Sequence, residues 1–365
     1  MSTFRRRSFR ASTRRRSAPD FVQSLFDELV ANFLKEQNKA TVINALTSFC
    51  TVNNPDKVYA IRVKMDTEFA LAAKCKYCYP SPPSDYGCDL REMLYDLQGK
   101  VTQEGRDLLA LFKHKQVPGG IPHIMTDIDD TLYPNTEHKT YIAGSDVSWH
   151  RKKIYPGAKM FYQRFYSKIP VPYSTILSAT PGCAKGHKLH DERLHSVLGK
   201  FSFIQGEERV SAFPAYSLDI LRNWKSKVSG VPLPELSGLH KMFGHMKFER
   251  FKQYCSLFPE YIIYFIGDDG QGDVLAGTEM LKHSKRCHVF IHNICEDGVN
   301  YKERPKGSPK KRMHYFKHYG ELATIFKEIG VFNEQDESAV HRSLWEEVLL
   351  PSNDQFRHLY ENLYV

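Results

Sequence analysis

Ile124-Met125-Thr126-Asp127-Ile128-Asp129-Asp130-Thr131-Leu132 decides how the rest of the chain is read. An apolar approach runs into three carboxylates within four residues and is closed by a threonine. Burying such a cluster without cations would cost several kcal/mol per charge. The pattern therefore predicts a strand end that faces a metal, a phosphate or both.

Downstream the texture alternates between strand and helix. Strands are predicted over 121–125, 171–177, 201–204, 261–266 and 287–291. Helices are predicted over 158–167, 189–198, 246–257, 275–283 and 321–329, with a Pro/Gly/Ser-rich loop over 229–238. This alternation implies an α/β fold with a mainly parallel sheet and helices on both faces. Active crevices in such sheets lie beyond the carboxyl ends of the strands. Three predicted strands end at Asp127–Thr131, at Ser178 and at Gly267-Asp268-Asp269-Gly270-Gln271-Gly272-Asp273, so their polar residues converge on one edge.

Upstream the pattern is helical. Phe21, Leu25, Phe26, Leu29, Val30, Phe33 and Leu34 recur at 3.6-residue spacing behind Pro19, a stripe expected to face the core. A second apolar segment spans 41–52, and 90–116 again reads as helix. Cys75-Lys76-Tyr77-Cys78 opens a Pro-rich loop ending at Cys88, with too few ligands for a structural zinc site. Val117-Pro118-Gly119-Gly120 breaks the chain. The expected organisation is a disordered basic tail (1–18), a mostly helical region (19–116), a catalytic domain (117–330) and a C-terminal helical appendage (331–365).

The 365 residues carry a formal charge of +9, with 41% hydrophobic and 25% charged residues, an ordinary globular composition. The charge is uneven. Seven arginines and no acid stand in 1–16, and 302–317 nets +6, which leaves −4 for the rest of the chain. The plain reading is a solvated tail and a solvated loop; contact of both segments with an anionic membrane and, for the N-terminus, an organellar transit peptide are the other readings. The sequence carries no strong nucleic-acid signal. No apolar run approaches the ~18–20 residues needed to span a bilayer. Eight scattered cysteines suit a reducing compartment, and a cytoplasmic or membrane-peripheral location is expected.

As reagents, carboxylates at one sheet edge would hold Mg²⁺, which is usually bound by few carboxylates together with water and substrate phosphate. Asp127 could attack phosphorus to form an aspartyl-phosphate, and Asp129 could protonate the leaving alcohol and later deprotonate water. Ser178 supplies a hydroxyl and Lys247, at the head of a predicted helix, an ammonium for the equatorial oxygens. Asp268 and Asp273 complete the metal shell.

DxDxT after a strand, a strand-terminal serine, a lysine before a helix and a GD-x4-D loop are, in order, the four motifs of the haloacid dehalogenase superfamily. Asp127–Thr131 together with Ile266–Asp273 resembles the catalytic domain of actin-patch-type phosphatidate phosphatases. Tyr155-Pro156-Gly157, Leu177-Ser178-Ala179-Thr180-Pro181 and Phe258-Pro259 support the likeness, which covers roughly 120–330. It implies a HAD-like Rossmannoid sheet and Mg²⁺ held by Asp127, the main-chain carbonyl of Asp129, and Asp268, with Asp273 in support. Thr131 would back the first loop; Thr131, Ser178, Thr180 and Lys247 would bind phosphate. In that register the lysine is Lys247, with Lys241 the alternative.

Departures lie at Leu132-Tyr133-Pro134, at Asp269 where the family carries serine, and at Gly272-Asp273-Val274-Leu275. They bear on substrate identity and remove no catalytic group. The expected function is a Mg²⁺-dependent phosphomonoester phosphatase, with phosphatidate or a related lipid phosphate as the implied substrate. A phosphatase of soluble or protein phosphoesters and a catalytically silent lipid or cytoskeleton adaptor are the alternatives. Asp130 has no assigned role, Asp269 reads equally as a ligand or a loop carboxylate, and His187, His190 and His195 read first as core or surface residues.

Overall fold

The computed structural model describes residues 18–36, 38–73, 89–95, 99–135, 146–181, 188–207, 233–270, 272–295 and 312–361. The arginines of 1–16, the Cys75/Cys78 pair and its loop to Cys88, His187 and the basic residues 302–311 lie outside them.

Six parallel strands form one sheet: β1 (Ile121–Thr126), β2 (Ser174–Pro181), β3 (Phe201–Glu207), β4 (Tyr261–Asp268), β5 (Cys287–His292) and β6 (Met313–Phe316). Their order is β3-β2-β1-β4-β5-β6. The α/β class and the parallel sheet therefore agree with the sequence reading. Both faces of the sheet are covered, and β4 accordingly opens with a continuous apolar run, Tyr261–Ile266. Alternation sorts the side chains of the central strands. Met125, Leu177, Phe265 and Ile291 join one core, whereas Ile124, Ile176, Tyr264, Ile266 and Phe290 join the other.

The first core is closed by helices from the N-terminal region. These are α1 (Ala18–Glu36), α2 (Lys39–Val52), α3 (Pro55–Thr67), α4 (Phe69–Ala72), α5 (Leu90–Leu94) and α6 (Gln103–His114). Phe26 and Leu29 of α1 are buried, while Phe21 and Leu34 of the same stripe are about half exposed. Met65, Phe69, Leu108 and Phe112 share one cluster with Met125 and Phe265. A buried ion pair fixes the junction. Arg62 Nη2 lies 2.5 Å from Glu260 Oε1, its Nη1 donates to the Leu257 carbonyl at 2.6 Å, and both side chains are fully buried. Helix 90–116 of the sequence reading is in fact two helices, since the chain leaves α5 at Tyr95 and turns through Gly99 (φ 77°) before α6.

The second face carries α7 (Ala158–Tyr166), α8 (Glu192–Leu198), α11 (Tyr319–Glu328), α12 (Glu334–Val348) and α13 (Asp354–Glu361); α9 (Leu233–Leu257) and α10 (Asp273–His283) lie on the first. Pro156-Gly157 fits the C-terminal helices. Gly157 (φ 79°) packs where a Cβ would sit 3.1 Å from Leu344 Cβ, and its amide donates to Glu347 Oε1 at 3.1 Å.

Several boundaries differ from the sequence reading. β2 begins at Ser174 rather than 171 and runs on through Ser178 to Pro181, because β3 is longer than expected and pairs with it. The loop expected at 229–238 is helical from Leu233 onward, so Lys247 sits in the middle of a 25-residue helix rather than at its head. β6 lies within the segment read as a basic loop; Val289 pairs with Met313 and His292 with Phe316. Among the described residues, no helix is long and apolar enough to cross a membrane. Cys50, Cys255, Cys287 and Cys295 are free thiols.

Candidate active site

The strand order reverses direction between β1 and β4. Chains leaving those two strands diverge to opposite sides and open a crevice beyond their carboxyl ends. Asp127 follows β1 directly and donates its amide to the Ile266 carbonyl of β4 at 2.9 Å. Asp268 is the last residue of β4, and Asp273 begins α10. One carboxylate oxygen from each of these three buried residues lies within 4.8 Å of the others.

Glycines make that approach possible. A Cβ on Gly267 would collide with the Asp273 carboxylate, whose Oδ2 accepts the Asp268 amide at 3.3 Å. Gly272 (φ 100°) packs its Cα against the His240 carbonyl of α9, and a Cβ on Gly244 would meet the Gly272 carbonyl at 2.7 Å. The two helices therefore touch backbone to backbone. One turn further along α9, Lys247 reaches Asp127 Oδ2 at 2.8 Å and also bonds Asp273 Oδ1. Lys241 is exposed on the same helix. Of the two lysines left open by the sequence, Lys247 is the one in the cluster.

Three carboxylates against one ammonium leave two negative charges, which matches one divalent cation. Burial pushes the Asp127 carboxyl up to about 7; the Lys247 ammonium pulls against this and the Asp273 charge adds to it. Burial and the Asp273 and Asp127 charges hold Asp268 well above the usual carboxylate range. Burial alone would depress Lys247, but the Asp127, Asp273 and Asp268 charges outweigh it and raise its pKa. The donor set suits a hard oxygen-preferring ion. Thr131 Oγ1 is a further buried oxygen with no hydrogen-bond partner.

Asp129 departs from the cluster. Its side chain is partly exposed and turns to Lys152 Nζ at 2.8 Å, with Lys188 Nζ at 3.9 Å. Ser178 is buried in β2, two residues past Ile176, which pairs with Thr126 at the end of β1. Thr180 lies in the same strand, and its side chain is outside the described set.

Asp130, which the sequence left without a role, shapes the loop. It adopts the left-handed region (φ 58°), and its Oδ1 accepts the amides of Asn135 at 3.0 Å and Asp146 at 3.1 Å. Its carbonyl meets His292 Nδ1 at 2.7 Å. Asp146 in turn accepts Tyr155 Oη at 2.6 Å and the Cys295 amide at 2.7 Å. The sequence reading missed Asp146, Tyr155 and His292 as supports; the position of His292 at a strand end is the one signal that pointed to it. Asp269 Oδ1 accepts the Ile294 amide at 3.1 Å, and its own amide donates to the His292 carbonyl at 3.0 Å, which ties β4 to β5. His195 is held by the Leu189 and Gly199 carbonyls at 2.8 and 3.0 Å, and His190 is exposed.

No family model matches the chain, and neither the curated proteins nor the solved structures yield a match.

Proposed function

We propose that the chain is a magnesium-dependent phosphomonoester phosphatase that works through an aspartyl-phosphate on Asp127. One observation carries the reading: Asp127, Asp268 and Asp273 converge at the sheet's switch point, and Lys247 bridges two of them. A cluster so costly to bury is retained where a cation and a phosphate compensate it.

The chemistry follows from the residues. The Asp127 carboxylate attacks phosphorus, the bond to the alcohol oxygen breaks with its electron pair, and the departing oxygen takes a proton from Asp129. Water then gives its proton back to Asp129 as it attacks the same phosphorus, and the Asp127 carboxylate leaves. Lys247 and the Ser178 hydroxyl would neutralise the phosphoryl oxygens. Mg²⁺, when held by Asp127 and Asp268 with Asp273 behind them, would supply charge neutralisation and orientation.

The resemblance implies phosphatidate as the substrate to test first. The basic segments 1–18 and 302–317 would draw the protein to a phosphate-bearing membrane. The test is Mg²⁺-dependent phosphate release from phosphatidate vesicles and from an aryl phosphate, comparing wild type with Asp127→Asn. Release by the wild type alone supports the reading. No release from either by folded wild type removes it, and release from the aryl phosphate alone moves the substrate away from lipid.

A further inference from the structure

Asp129 is surrounded by more positive charge than it can satisfy. Lys152 and Lys188 both face its carboxylate, at 2.8 and 3.9 Å, and their side chains are only 28% and 17% exposed. Arg193 closes the same group but is matched by Asp191 at 2.7 Å. Two partly desolvated ammonium groups therefore share one carboxylate.

The scaffold beneath them is rigid. Tyr133 is fully buried, and Lys152, Lys188 and Arg193 stand 4.6, 5.5 and 5.3 Å from its ring centre. Lys188 Nζ also lies 2.9 Å from the Tyr133 hydroxyl. Lys152 is held in the left-handed region (φ 55°), its amide donating to the Pro134 carbonyl at 2.8 Å, while its ammonium also bonds Asn135 Oδ1. A lysine kept in that backbone state is strained, and such strain is typical of ligand-binding positions. Ordinary surface ion pairs need neither the strain nor a second cation.

We propose that Lys152 and Lys188 form an anion subsite on the leaving-group side of Asp129, selecting phosphomonoesters whose alcohol portion carries a second anionic group. The proposal rests on the phosphatase reading only for its geometry: an acid that protonates the departing oxygen must adjoin the alcohol portion, so cations bound to that acid adjoin it too. A carboxylate or phosphate a few bonds from the ester oxygen would take over the ammonium that Asp129 alone cannot neutralise. Within the phosphatase class this favours an anionic leaving group over the uncharged diacylglycerol of phosphatidate. A soluble metabolite and a lipid headgroup with a second phosphate present the same chemistry.

The test uses 3-phosphoglycerate and glycerol 3-phosphate, which are similar in size and differ in one carboxylate. Calorimetric titration of the Mg²⁺-loaded full chain is expected to show 3-phosphoglycerate binding at least about tenfold more tightly, the effect of one charge-assisted contact. Lys188→Gln and Lys152→Gln should each bring that ratio towards one; wild-type ratios near one, or ratios that survive both substitutions, overturn the subsite. Phosphate release from the same compounds is followed in parallel. Binding discrimination keeps the subsite whether or not these two compounds turn over, since the phosphatase reading is decided by the phosphatidate and aryl phosphate assay; turnover without discrimination overturns the subsite alone. Release from vesicles of a lipid bearing a second phosphate, in excess of that from phosphatidate vesicles, would assign the subsite to a headgroup, and preference for the soluble compound would assign it to a metabolite.

Discussion

Lys247 Nζ lies 2.8 Å from Asp127 Oδ2 across 120 positions of sequence, and the same ammonium bonds Asp273. It is the protein's own counter-charge to the carboxylate cluster. Lys247→Met would leave three buried carboxylates facing one another. The metal-free protein should lose about 3–5 kcal/mol of stability, as when one partner of a buried pair is removed. Magnesium should restore part of the loss, and denaturant unfolding with and without the ion reads both effects.

Asp127→Asn should behave in the opposite way. It removes the attacking group, so turnover should fall by at least about a thousandfold. It also relieves repulsion. An acid whose folded pKa is raised destabilises the fold once ionised, and the penalty grows as pH climbs from its unfolded value of about 4 towards about 7. At pH 8 the metal-free variant should therefore match or exceed the wild type, by roughly 1–2 kcal/mol, whereas at pH 4 the two should coincide. Thermal unfolding at the two pH values checks this.

Magnesium must displace whatever proton Asp127 holds. Because burial lifts that carboxyl to about 7 and also holds Asp268 well above the usual carboxylate range, apparent Mg²⁺ affinity should rise with pH up to and beyond that value. Below that value it should fall by about tenfold per pH unit for a single displaced proton. Titration calorimetry between pH 5.5 and 8.5 (roughly the window set by this shift) would expose a flat profile, which would contradict the prediction.

Asp129→Asn tests proton transfer to the leaving group. An alkyl alcohol needs that proton and a nitrophenolate hardly does. The substitution should cost roughly 10²–10⁴-fold in release of an alkyl alcohol and much less in the first-turnover burst of nitrophenolate, because the later attack of water needs Asp129 with either ester. Equal losses on both would argue that Asp129 positions the loop rather than moving a proton.

The Arg62–Glu260 pair, fully buried at 2.5 Å, should respond like other desolvated pairs. Arg62→Met alone should cost about 3–5 kcal/mol, and adding Glu260→Leu should recover much of it. Chemical denaturation of the single and double variants measures the coupling.

The sheet and most of the site were legible because short apolar-rich runs alternate with helical stretches, as in Tyr261–Ile266, and the ends of β1 and β4 were marked by Asp127 and Asp268. β6 was not legible, since four residues among lysines carry too little apolar signal. The early turns of α9 were hidden by proline, serine and glycine at 232–238, a composition that reads as loop until packing overrides it. Asp130 was opaque for another reason. Its role depends on a left-handed φ and on partners 16 and 162 positions away, neither of which leaves a local trace.

The strand order has a consequence for how the chain comes off the ribosome. β1, β2 and β3 can pair as soon as they emerge, but the other edge of β1 waits for residues 261–268. Through that interval an apolar strand offers its unpaired backbone to any passing chain. The carboxylate cluster is completed at the same late moment, because Asp268 and Asp273 arrive with β4 and α10. Synthesis of the last third of the protein therefore closes the sheet and assembles its charged crevice in one event, and a nascent chain halted before it would hold neither.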